Sequence, residues 1–204
     1  MIISHKYRFI FIKTIKTAGT SIETYLSPLC GPNDVFTPIL PPEPGHQPRN
    51  FVAPNLEFHN HMSAWRIRQA VGAEVWNTYF KFCVERNPWD KTVSDFCMAN
   101  ARAGSKYRFA DYFQRGIFCR SWELYTDEDG SLMVDRVLRY ENLDRELGEV
   151  FQALGVPWPG RLEVRAKSQF RQDRRPYQEW YSPAQQAIVQ KVFADEIRTF
   201  GYAF

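Results

Sequence analysis

Two groups of residues in this 204-residue chain have the types and spacing to handle an anionic ligand. The first is Lys16, Thr17, Ala18, Gly19, Thr20 and Ser21, which follow the apolar run at 7–12 (YRFIFI). Such a turn supplies one glycine for close backbone approach, three hydroxyls and a lysine. Its amides, with the N-terminus of the helix that follows, make an anion site. It is not the nucleotide-triphosphatase turn GxxxxGK[ST], because Lys16 precedes Gly19 and one glycine stands where two are needed. The second group is Arg86, at the end of a second apolar run at 79–84 (YFKFCV), and Ser94, about two turns along the next helix. Phosphoryl-transfer enzymes of this topology place a carboxylate on such a strand to hold Mg²⁺. A guanidinium instead clasps a phosphate bidentately, and a hydroxyl completes the shell. Together the groups predict a ligand with phosphates at two separated positions, bound without obligatory metal. The plainer alternatives are ordinary surface lysines in a strand–turn–helix, and Arg86 paired with Glu85 or Asp90.

These residues need elements to hold them. The runs at 7–12 and 79–84 read as buried strands, and 134–140 as a third. Helices are expected from Ile22 to Leu26, from Ala64 to Val71 with a break at Gly72, from Pro88 to about Ala101, and from Asn142 to Leu154. The turn at 157–160 (PWPG) is expected to stop the last of these. Ser182 to Gln185 form a capping box with Pro183 at its first position. It opens a helix with Ile188, Val192, Phe193, Ile197 and Phe200 on one face. Strands alternating with helices predict an α/β fold, three layers deep, with a mainly parallel sheet. Residues 28–54 hold eight of the 13 prolines, so no regular element is expected there, only a surface excursion near the site.

The composition fits one globular domain over 1–204, with 44% hydrophobic and 24% charged residues. A net charge of +3 is too mild for a nucleic-acid binder that works by bulk charge. Basic residues gather at 1–26 and 161–175, which suits a small, highly anionic ligand. The four cysteines form no CxxC, so neither a zinc site nor any other metal is expected, and a reducing, cytoplasmic setting is. No apolar run reaches the roughly 18 residues that span a bilayer.

The two motifs, FIKTIKTAGTSIE (11–23) and VERNPWDKTVS (84–94), resemble those of the sulfotransferases that use 3′-phosphoadenosine 5′-phosphosulfate (PAPS). The similarity is strongest to the branch with carbohydrate O-sulfotransferases and many bacterial members. It implies Lys16, Thr17, Ala18, Gly19, Thr20 and Ser21 at the 5′-phosphosulfate, and Arg86 and Ser94 at the 3′-phosphate. Members often carry His-Ile-Pro-Lys where this chain has Lys13-Thr-Ile-Lys16, so Lys13 adds a charge near the donor. Residues 137–143 and the tail resemble the later family elements. The resemblance places Lys167 and Arg171 on a loop that closes over the nucleotide, a solvated charge run being the alternative.

Sulfuryl transfer to a hydroxyl needs a base, and the pair His59 and His61 lies just ahead of the predicted cap at Ser63. A like-placed pair serves the uronic-acid 2-O-sulfotransferases, which implies His61 as base and His59 as acceptor contact. A shared metal, solvated loop histidines or Glu57 as base are the alternatives. Trp65, Trp89, Trp122 and Trp180 are either sugar-stacking walls or core. The expected activity is transfer from PAPS to a carbohydrate hydroxyl. The competing readings are a small P-loop kinase using ATP and Mg²⁺, and a glycan- or nucleotide-binding module without chemistry.

Overall fold

The computed structural model describes residues 1–104, 107–164, 166 and 168–204. In chain order these form β1 (Ile2–Ser4), β2 (Phe9–Phe11), α1 (Gly19–Leu26), β3 (Val35–Phe36), β4 (Val52–Ala53), β5 (Leu56–Glu57), α2 (Ala64–Thr78) and β6 (Phe80–Glu85). There follow α3 (Pro88–Arg102), α4 (Phe109–Gln114), α5 (Trp122–Tyr125), β7 (Arg136–Arg139), α6 (Leu143–Leu154), α7 (Pro183–Val192) and α8 (Ala194–Phe200). They fall into two compact units, Met1–Glu85 with Glu123–Ala166, and Arg86–Trp122 with Lys167–Phe204. Among the described residues no helix is long and apolar enough to cross a membrane.

The first unit is built on a sheet in the order β3-β1-β2-β6-β7. Strands β2, β6 and β7 run parallel, with Phe9 opposite Phe80 and Val84 opposite Leu138. Strand β1 is antiparallel to both β2 and β3. On one face Phe9, Phe11, Phe82, Val84 and Leu138 pack against Ile22 and Leu26 of α1 and Leu147, Val150 and Phe151 of α6. On the other, the Lys81 ammonium donates to the Trp76 carbonyl of α2 at 3.1 Å, and the Tyr125 hydroxyl of α5 donates to Glu85 at 3.0 Å. Helices therefore cover both faces, giving the expected three-layer α/β arrangement. Strands buried on both sides read as continuous apolar runs, which is why β2 and β6 stand out in the sequence.

Three local expectations are corrected. Residues 28–54 are not devoid of regular structure: Val35 and Phe36 pair with Ile3 and Ile2 at the sheet edge. Phe36 and Arg49 exchange backbone hydrogen bonds of 2.9 and 3.1 Å. Both short strands fall between prolines, so the excursion is pinned without a proline entering a ladder. Helix α2 does break at Gly72, which sits at φ 77°, but the chain resumes helical turns to Thr78. Helix α6 ends at Gly155, left-handed at φ 69°, before the Pro157 turn is reached.

In the second unit the Asn87 side chain caps α3 by accepting from the amides of Trp89 and Asp90. Val93, Phe96 and Cys97 of α3 pack on Tyr112 of α4, with Phe109, Trp180 and Tyr181 around them. The Ser182–Gln185 capping box forms as expected. The helix it opens is not continuous, because Phe193 takes φ −107° and ψ 32° and divides α7 from α8. Its inward face runs through Val189 and Phe193, while Ile188 is 40% exposed.

Candidate active site

The parallel pairing of β2 and β6 carries into the first turn. The amide of Ile12 donates to the Phe82 carbonyl at 2.9 Å, and the Thr14 hydroxyl bonds the Val84 carbonyl. Thr14 and Thr17 hydroxyl oxygens lie 2.7 Å apart. The turn is thus fastened to β6. Lys16 and Ala18 both sit at φ 62°, a conformation that costs an L-residue about 1–2 kcal/mol. Left-handed residues interspersed in a turn direct successive amides to one concave side and make an anion nest. Helix α1 begins on Ala18 with no side-chain cap and no acid in its first turn. Its first amides and positive dipole end therefore have the chemistry to receive an anion.

Within this turn the expected residues divide. Lys16 is partly exposed and Gly19, Thr20 and Ser21 are buried at the start of α1. The Ser21 hydroxyl accepts from the amide of Ala166 at 3.0 Å, so its own proton points elsewhere. The Thr17 hydroxyl is turned inward to the Thr14 carbonyl at 3.2 Å.

Lys13 is placed differently from the expectation that it meets the donor. Only 4% exposed, its ammonium donates to Glu23 and, at 3.2 Å, to Asn60. Burial alone would raise the Glu23 carboxyl, but the Met1 amino group and Lys13 outweigh it and hold Glu23 below the usual carboxylate range. A Cβ added to Gly19 would come within 2.7 Å of Lys13 Cγ. That glycine is therefore required by the lysine stem crossing it, a role that the sequence did not signal.

Asn60 joins three parts of the site. Its side-chain oxygen accepts from Lys13 and, at 3.0 Å, from the Thr37 hydroxyl, and its amide donates to the Pro38 carbonyl. The proline-rich excursion and the histidine segment are thereby tied to the turn. His61, left-handed at φ 59°, places Nδ1 2.9 Å from the Lys13 carbonyl oxygen. A carbonyl only accepts, so Nδ1 carries the proton and Nε2 keeps its lone pair. Burial lowers the His61 pKa to about 4, so the ring is neutral at physiological pH. His59 is exposed, with Nδ1 2.9 Å from the Asn60 carbonyl oxygen.

In the second unit Arg86 pairs with Asp90, the alternative weighed above, through Nε at 2.8 Å and a terminal nitrogen at 2.6 Å. Arg171 reaches the other oxygen of the same carboxylate at 2.5 Å. Burial would raise the Asp90 carboxyl, but Arg86 and Arg171 hold it below its ordinary value. Two guanidiniums thus converge on one carboxylate, and the buried Nε of Arg171 has no hydrogen-bond partner. Ser94 lies one turn beyond Asp90 on α3, half-buried. Sequence spacing offered Asp90 as a partner of Arg86 but gave no sign that Arg171 converges on it. Lys167 lies outside the described residues. Among the described residues no group of three or more His, Cys, Asp or Glu side chains is placed to hold a metal ion.

Of the tryptophans, Trp89 is buried, its ring edge-on to Phe204 at 5.5 Å, and its indole donates to the Gln186 carbonyl at 3.2 Å. Trp65 stands out at 54% exposed.

A family model described as "Sulfotransferase family" matches residues 1–203. An uncharacterized protein of Archaeoglobus fulgidus is 31% identical over 102 residues, which is 47% of this chain and 84% of that protein. Among solved structures, the crystal structure of mouse sulfotransferase SULT7A1 complexed with PAP superposes with a TM-score of 0.53 at 14% identity. The superposition covers 96% of this chain and 85% of the mouse chain. That likeness is one of fold.

Proposed function

The chain belongs to the sulfotransferase family, and from that premise we propose that it transfers a sulfuryl group from PAPS to a hydroxyl of a carbohydrate or glycoconjugate. The observation that carries the reading is the uncapped, left-handed turn at Lys16 and Ala18 beside a neutral, carbonyl-anchored His61. His61 Nε2 takes the acceptor proton. The acceptor oxygen forms its bond to sulfur as the bond from sulfur to the bridging 5′-phosphate oxygen breaks. Lys16 and the amides of the turn receive the charge that collects on that leaving oxygen. Arg86 and Ser94 are assigned to the 3′-phosphate, with Arg171 beside them.

His59 is assigned to the acceptor, and Lys13 to holding the turn rather than to the donor. The PAP named with the mouse sulfotransferase supports PAPS as donor. Cys30, Cys83, Cys97 and Cys119 are all unbridged, which supports a reducing, cytoplasmic setting. The test is incubation with PAPS and a panel of oligosaccharides, with sulfated product read by mass spectrometry. Product that depends on PAPS and is lost in His61→Ala supports the reading. Product undiminished in that variant removes His61 as base.

A further inference from the structure

Resting on this sulfuryl-transfer reading, we infer that an open groove between β5 and the first turns of α2 seats a neutral sugar ring of the acceptor, stacked on Trp65. The groove has a volume of about 640 Å³, within the range of small-molecule sites, and its walls include Leu56, Glu57, His59, Trp65, Arg66 and Gln69. Helix α2 meets the core through Ala64 and Ile67, both fully buried. Trp65 is not among the buried residues of this helix and is 54% exposed. The Ser63 hydroxyl caps the helix by accepting from the Arg66 amide at 3.4 Å, so the indole stands on a fixed first turn. Gln69 lies one turn along the same face.

The charges of Glu57 and Arg66 cancel, and burial does not fix either in an ion pair of its own, since Glu57 and Arg66 are exposed. A groove with no net charge, one flat apolar ring and a rim of amide, imidazole and charged groups matches a pyranose. Such a ring carries a C–H face for stacking and hydroxyls at its edge that both donate and accept. A uronate would find Arg66 but also the repulsion of Glu57, so neutral sugars are selected. His59 forms part of the groove wall, and His61, two residues on, faces the first residue of the donor turn. One short segment therefore carries both the acceptor contact and the base.

The experiment uses the full chain saturated with 3′,5′-ADP, titrated with cellohexaose, chitohexaose and a hyaluronan hexasaccharide while the Trp65 indole resonance is followed by NMR. At least one neutral hexasaccharide is expected to shift that resonance. Its affinity should fall about tenfold in Trp65→Ala. Gln69→Ala should weaken it too, and serves as the readout if Trp65→Ala does not fold. The inference is overturned if neither neutral sugar shifts the resonance, if hyaluronan binds more tightly than both, or if the folded variants bind as wild type does. Nucleotide affinity, measured separately, should be equal in all three proteins. Failure of the wild type to bind 3′,5′-ADP would strike the donor reading and leave the sugar result standing on its own.

Discussion

The His61 ring and the Lys13 carbonyl, 48 positions apart in the chain, meet at 2.9 Å. This bond fixes which nitrogen carries the proton and holds the ring against the chain that leads into the Lys16 turn. It also sets the pH behaviour. With the pKa lowered from 6.5 to about 4, the His61 ring stays deprotonated through the weakly acidic range. The acid limb of kcat/KM is therefore expected well below pH 6 and nearer 4, and a limb at the ordinary histidine value would show that another environment governs His61. Stability has the matching sign. The unfolded chain takes up the His61 proton near 6.5 and the folded one only near 4, so this residue's contribution is lost as pH falls between those values.

Lys16 combines a backbone strain with a proposed charge role. Lys16→Gly removes the cost of a left-handed side-chain-bearing residue, so the folded protein should keep its melting temperature to within a few degrees. Turnover should fall by about 10²–10³, the usual effect of losing one group that meets transition-state charge. Turnover within a fewfold of wild type would take the lysine out of the chemistry.

Lys13 and Gly19 are expected to report on folding instead. Lys13→Met leaves the Glu23 carboxylate buried beside fewer cations and should cost about 3–5 kcal/mol in urea unfolding. Gly19→Ala forces the Lys13 stem aside and should cost about 1–3 kcal/mol. In both, nucleotide affinity per folded molecule should stay within about threefold of wild type, since less than 1 kcal/mol separates such values. A stable Lys13→Met variant that has lost the nucleotide would return this lysine to the donor.

Arg86 meets Asp90 through two nitrogens of one guanidinium, which an ammonium has no geometry to reproduce. Arg86→Lys is accordingly expected to bind 3′,5′-ADP as poorly as Arg86→Ala, about tenfold or more below wild type. Lysine rescue in a titration would reduce the role to bulk charge. Because Arg86 and Arg171 depress the Asp90 pKa from its ordinary 3.8, the stability it contributes is present above that value and is lost as pH falls through the depressed one.

Much of the frame could be read from the chain alone, because strands buried on both faces leave unbroken apolar runs and because proline and capping boxes mark helix starts. Strand β1 escaped notice since three residues carry no periodicity, and β3 because prolines on either side hid a two-residue pairing. The turn at residues 16–21 and Arg86 were visible as local motifs. The use of Lys13 was not, because its partners Glu23 and Asn60 are brought to it by the fold rather than by spacing. Asp90 was visible as a neighbour of Arg86, while Arg171, 81 positions further on, could be placed on it only by the tertiary structure.

The most direct measurement is calorimetric titration of the full chain, in the presence of a chelator, with 3′,5′-ADP, 5′-AMP and, with magnesium restored, ATP. Recognition of an adenosine ligand at both phosphate positions predicts that 3′,5′-ADP binds without metal and that 5′-AMP, lacking the 3′-phosphate, binds about tenfold or more weakly. Equal affinity for the two, or binding of magnesium-ATP in place of 3′,5′-ADP, would contradict it.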